Sequence, residues 1–139
     1  MKPSIKAGIA VGMATGAWIF GEYALGLHDD PSGGAGRWTG LLSLIFPIIG
    51  AWWVVRTALL SSWSEATREG LIFGATGGLV GGAAIYLYFR AVNPGFRPDG
   101  DSLDAGAQAL FGFIGALILG TVLVAILYGL SKRRRNTNG

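Results

Sequence analysis

The sequence contains no cysteine, which excludes disulfides, thiol catalysis and thiolate metal sites. Charge is scarce as well. Asp, Glu, Lys and Arg make up 14% of the 139 residues, against about 25% in an ordinary soluble domain, whose surface needs them to face water. There is a single histidine. No nucleophile–base pair, phosphate-binding glycine loop or zinc motif is present, so the sequence indicates no enzyme and no cofactor. What fills the chain is apolar, with 51% hydrophobic residues and a mean hydropathy of +0.49. A surface this poor in charge faces lipid, and the length allows one domain.

Four apolar runs occupy 7–27, 38–55, 70–89 and 105–130. A helix needs about 20 such residues to cross about 30 Å of hydrocarbon. The runs show no alternation of period two, so a membrane barrel is the poorer reading. The expected fold is all-α: a single-domain, four-helix transmembrane bundle, with a basic tail at 131–139. Lys2 and Lys6 before the first run resemble the start of a signal peptide, but the apolar stretch is long for one, and an uncleaved span is expected.

Orientation follows from the basic residues. With the N-terminus inside, Lys2, Lys6, Arg56, Arg68, Lys132, Arg133, Arg134 and Arg135 are cytoplasmic, and only Arg37, Arg90 and Arg97 are outside. The positive-inside rule therefore predicts both termini in the cytoplasm. Trp38, Tyr23, Tyr86 and Tyr88 fall at the outer span ends and Trp52, Trp53, Trp63 and Tyr128 at the inner ends, where aromatic rings anchor at headgroup depth. Arg56 lies one helical turn from Trp52, so the two can meet.

Glycine is the strongest signal, with 24 residues, most of them inside the runs. Gly8, Gly12 and Gly16 recur every four residues, as do Gly70, Gly74, Gly78 and Gly82, with Gly77 and Gly81 beside them. In lipid, helices associate by close packing across small residues. Both ladders are therefore expected to be broad packing faces. Lys6-x-Gly8 aligns with Arg68-x-Gly70, which either a duplicated hairpin or convergence on close packing would explain. Ser62-x-x-Glu65 reads as a capping box starting the third helix. Asp101 and Ser102 are candidate caps of the fourth. Pro47 should kink the second helix and leave the Ser43 carbonyl without its helical partner.

The opening residues 1–8, the basic Arg56 closing the second span, the segment 62–70 (SWSEATREG) and the close 127–135 (LYGLSKRRR) carry a resemblance over nearly the whole chain. They look like a bacterial family of four-span inner-membrane proteins known as domain of unknown function 4199. The loop before the fourth span is shorter than is usual in that family. The resemblance implies a multi-pass protein of the bacterial inner membrane and no activity.

Few residues carry chemistry. Glu22 is the only ionisable residue well inside a run, and it shares the glycine face of its helix. Intramembrane acids can be proton or cation sites, but Glu22 lies near the outer end, where it can reach the interface or pair with an outer-loop arginine, and a structural role is the plainer reading. Gln108 in the fourth run is expected to bond across helices. His28-Asp29-Asp30 holds metal-ligand types but reads as a solvated turn. Asp99, Asp101 and Asp104 miss the calcium-loop spacing. Beside a span, Lys132, Arg133, Arg134 and Arg135 suit anionic lipid headgroups better than nucleic acid. The leading expectation is a structural or assembly protein, either a homo-oligomer or an accessory subunit with a membrane-protein partner. The alternative is a small proton- or cation-coupled transporter or channel using Glu22.

Overall fold

A computed structural model describes residues 1–28, 34–94 and 104–137. The described residues are helical with no strand, and four helical segments are long and apolar enough to cross a membrane. The elements are α1 (Pro3–Ala24), α2 (Gly34–Leu42), α3 (Ile45–Thr57), α4 (Trp63–Leu87) and α5 (Ala105–Thr137). The candidate caps Asp101 and Ser102 lie outside the described residues. Asp104 takes that role, its Oδ1 accepting the Ala107 N–H at 2.7 Å.

Local chemistry sets the ends. The first apolar run continues to Leu27, but α1 stops at Ala24. Gly26 adopts φ 71°, a conformation that disfavours other residues. Its N–H then bonds the Tyr23 carbonyl at 2.9 Å, and the Leu27 N–H bonds that of Glu22 at 3.0 Å. These two bonds form a Schellman cap, which turns the chain back over the helix end. At the start of α4 the Ser62 hydroxyl accepts the Glu65 N–H at 3.2 Å. The reciprocal half of the expected capping box is not made as expected, because the Glu65 carboxylate bonds Ser61 instead.

The second span is broken into α2 and α3 at Ser43–Leu44 rather than simply kinked. Pro47 has no N–H for the Ser43 carbonyl, and that carbonyl is not left unpaired. It accepts the Phe46 N–H at 3.1 Å in a tighter turn. α4 ends in a π-helical turn, Tyr88–Val92, unforeseen in the sequence. Helix continues through the basic residues that follow the fourth run, to Thr137.

α4 is the central helix. It runs parallel to α1 and antiparallel to α5, with α3 bridging α1 and α5 on the other side. Its glycines divide between the two neighbours instead of forming one face. A Cβ on Gly70, Gly74 or Gly78 would lie within about 3 Å of α5, for Gly74 2.7 Å from the Ala116 carbonyl oxygen. On the other flank Gly77 and Gly81 lie against Gly8 and Gly12 of α1, and a Cβ on Gly12 would lie 2.7 Å from the Gly77 carbonyl oxygen. Gly16 faces Ala84 in the same way, and Gly82 faces Ala109 of α5. Backbones this close leave no room for a side chain between them.

Candidate functional site

Two buried carboxylates mark the ends of the α1–α4 pair. At the Lys2 end, Glu69 of α4 accepts the Ser4 hydroxyl of α1 at 2.6 Å. Its other oxygen lies 3.5 Å from Lys2 Nζ and 3.4 Å from Arg68 Nη2. The Glu69 side chain is 8% exposed, whereas Lys2 and Arg68 are 51% and 63% exposed. This acid is thus buried but neutralised from the water side.

The opposite end holds the cluster with the most chemistry. Glu22 is buried on the α1 face that carries Gly8, Gly12 and Gly16. Its Oε1 accepts the Trp18 indole N–H at 2.9 Å, one turn back on the same helix. That N–H is shared with the Thr39 carbonyl of α2 at 3.1 Å, and the Trp18 ring packs edge-on against Phe46 of α3. Trp18 therefore ties α1 to both halves of the broken second span.

The Schellman turn carries His28 back over Glu22. His28 Nε2 lies 3.5 Å from Glu22 Oε2, and Nδ1 bonds the Tyr88 hydroxyl. Tyr88 is completely buried, ringed edge-on by Phe20, Tyr23, His28 and Phe89 at centroid distances of 5.2–5.8 Å. Such pairs add about 0.5–1.5 kcal/mol each beyond the area they bury. The π turn brings the Asn93 side chain back to donate to Tyr88 Oη at 3.1 Å, while the Asn93 N–H bonds the Tyr88 carbonyl at 2.9 Å. Tyr88 Oη thus joins Asn93 to His28, and His28 joins Tyr88 to Glu22.

This cluster corrects two expectations. His28 is not solvated, since its side chain is 5% exposed. Tyr88 is a buried cross-helix link and not an interfacial anchor. The described partners of Glu22 are the Trp18 indole and the His28 imidazole; the outer-loop Arg37 and Arg97 lie outside the described side chains, as do Asp29, Asp30 and Asp99. Tyr128 is also in the core, stacked edge-on with Trp63 at 5.1 Å. Gln108 is half-buried in the first turn of α5 and takes no part in the cluster. Lys132, Arg133 and Arg134 are exposed on the last turns of α5, and the Arg135 side chain lies outside those described. Among the described residues, no three His, Asp or Glu side chains gather where they could hold a metal.

A cavity of about 350 Å³ lies between the four spans, lined by glycines of α1, α4 and α5 and by Ser43, Leu44 and Pro47 at the break. Glu22 does not line it. Trp18, His28, Tyr88 and Asn93 could not have been grouped from sequence, being far apart in it. The nearest signal was Gly26, a C-cap glycine immediately before the Leu27–His28 pair. No protein-family model, curated protein or solved structure matches the chain.

Proposed function

We propose that the chain is a structural or assembly protein of the bacterial inner membrane, either a homo-oligomer or an accessory subunit of a larger membrane complex. Both termini are cytoplasmic on this reading. The observation that carries it is the placement of Glu22. Its oxygens face Trp18 and His28, and it does not line the cavity between the spans. An acid that carries an ion faces a water-filled cavity or pathway; Glu22 serves instead to hold α1, α2 and α4 together. No buried side-chain polar atom among the described residues lacks a partner, as suits a scaffold.

The surface for assembly is α5. Leu110, Ile114, Ile118, Val122, Ile126 and Leu130 form an exposed stripe along it, and the exposed Gly115 meets nothing within 4 Å inside the chain. A small residue on an outer face suits backbone approach by another helix. In mild detergent the protein should run as an assembly, and Gly115→Leu should dissociate it without lowering its melting temperature. A monodisperse monomer with no co-purifying partner would overturn the reading. Reporters fused after Ser64 and at the C-terminus should read cytoplasmic, and one after Gly34 outside.

The relay Glu22–His28–Tyr88 favours proton coupling as a second reading. Proton-linked flux in reconstituted vesicles, lost in Glu22→Gln, would establish it in place of the first.

A further inference from the structure

Two apolar grooves run along the outside of the bundle, and they differ in one respect. The groove between α4 and α5, lined by Leu79, Ala83, Leu87, Leu110 and Phe113 among others, has no charged residue on its walls. The groove between α1 and α3 holds about 440 Å³, within the roughly 300–1,000 Å³ usual for ligand sites. Its floor is made of small residues, Ala10 and Ala14 of α1 with Gly50 of α3, and Phe46 stands on its wall. At its other end are Lys6, Trp52 and Trp53. The Arg56 guanidinium lies over the Trp52 ring, 5.2 Å from its centroid. Lys6 and Arg56 are both exposed.

The chemistry changes along the groove in one direction. Phe46, Ala14 and Ala10 offer only hydrocarbon. One to two turns further on come two indoles, which favour headgroup depth, and then two cations on stems long enough to reach a phosphate. Lys2 and Arg68, also at this end, are engaged with Glu69. Lys6 and Arg56 make no ion pair with an acid among the described residues.

We infer that the α1–α3 groove is a binding site for one anionic phospholipid, with an acyl chain lying along Ala10, Ala14 and Phe46 and the phosphate between Lys6 and Arg56. Charge complementarity selects this occupant over a zwitterionic lipid, whose own cation would face Lys6 and Arg56. It also selects it over a partner helix, whose apolar surface would leave both cations unused. The site rests on the membrane reading above and is placed by it in the cytoplasmic leaflet, where anionic lipid is concentrated. It is separate from the basic residues 132–135 on α5, which do not line this groove.

The test is native mass spectrometry of the full-length protein released from vesicles of equal phosphatidylglycerol and phosphatidylcholine. One phosphatidylglycerol should remain bound in preference to phosphatidylcholine. The double variant Lys6→Gln with Arg56→Gln, which leaves the groove floor of Ala10, Ala14 and Gly50 intact, should reduce that preference by about tenfold or more, two basic charges near an anionic surface being its source. Ala10→Phe should fill the groove and remove retained lipid of both kinds, with circular dichroism confirming helix content. Neutralising Lys132, Arg133 and Arg134 together should leave the retained lipid unchanged. No preference in the parent protein, or a preference intact in the Lys6/Arg56 variant, would overturn the site. Failure of the protein to float with vesicles would overturn the membrane reading itself, a separable result.

Discussion

The two ends of the α1–α4 pair each bury a glutamate, and they stabilise it by different means. At the Lys2 end Glu69 faces two water-exposed cations and one serine. At the His28 end Glu22 has no arginine or lysine among its described partners, only an indole, an imidazole and the phenol behind it. Solvent reaches the first cluster and screens it, so its ion pairs are each worth less than about 1 kcal/mol. The second lies in apolar surroundings, where each missing partner costs more. Two similar acids on parallel helices thus do different work: Glu69 sets the register at an edge with exposed cations, and Glu22 locks the His28 end from within.

The largest test of this comparison strikes the glycine contact that joins the two ends. Gly12→Leu places a side chain where a Cβ already meets the Gly77 carbonyl and Val80. Backbone cannot move aside as a side-chain tip can, so both clusters should be pulled apart at a cost of about 3 kcal/mol or more, the upper part of the overpacking range. Gly21→Leu, with nothing within 4 Å, should be nearly silent. Detergent melting of both variants decides whether the glycine contact governs the interface; equal behaviour would dissolve it.

The next effect separates the two acids. Glu22→Leu strands the Trp18 indole N–H and removes the partner of His28 in apolar surroundings, a loss of about 1–3 kcal/mol. Glu22→Gln keeps an acceptor for Trp18 and should cost on the order of 1 kcal/mol, the scale of polar contacts between membrane helices. A melting temperature that falls equally for Leu and Gln would mean that the charge, and not the hydrogen-bonding shape, is what Glu22 supplies.

Glu69→Gln should have the smallest effect. The Ser4 bond survives, and only the screened pairs with Lys2 and Arg68 are lost, under about 1 kcal/mol. In the parent protein the contribution of those pairs should shrink between low and high salt, since exposed charges are screened within about 10 Å at 0.1 M. The Glu22 cluster should show no such salt dependence in the same unfolding assay. A reversed order, with Glu69→Gln costlier than Glu22→Leu, would break the comparison.

Much of the architecture was legible from local chemistry. Apolar run length marked four segments, and Ser62 marked the start of α4 because a cap acts on its own helix three residues away. The glycine spacing was visible, but not its division between α1 and α5. Gly77 and Gly81 face one neighbour and Gly70, Gly74 and Gly78 the other because α4 is flanked on both sides. The sequence pattern on one helix carries no information about how many helices surround it. Tyr88 shows the same limit: a tyrosine near a span end is an anchor or a buried link depending on whether a neighbour covers it.

Composition and hydropathy, summed over each segment, determined on their own that the chain is helical and that four stretches of it can cross a membrane, because backbone polar groups in lipid must be satisfied within the segment itself. Only the tertiary structure decided that His28 and Tyr88 meet across 60 residues, that Glu22 is shared with indole and imidazole, and that the groove with cations at its end lies between α1 and α3. Those are pairings between distant segments, fixed by which backbones approach closely enough at their glycines, and no local period in the chain records them.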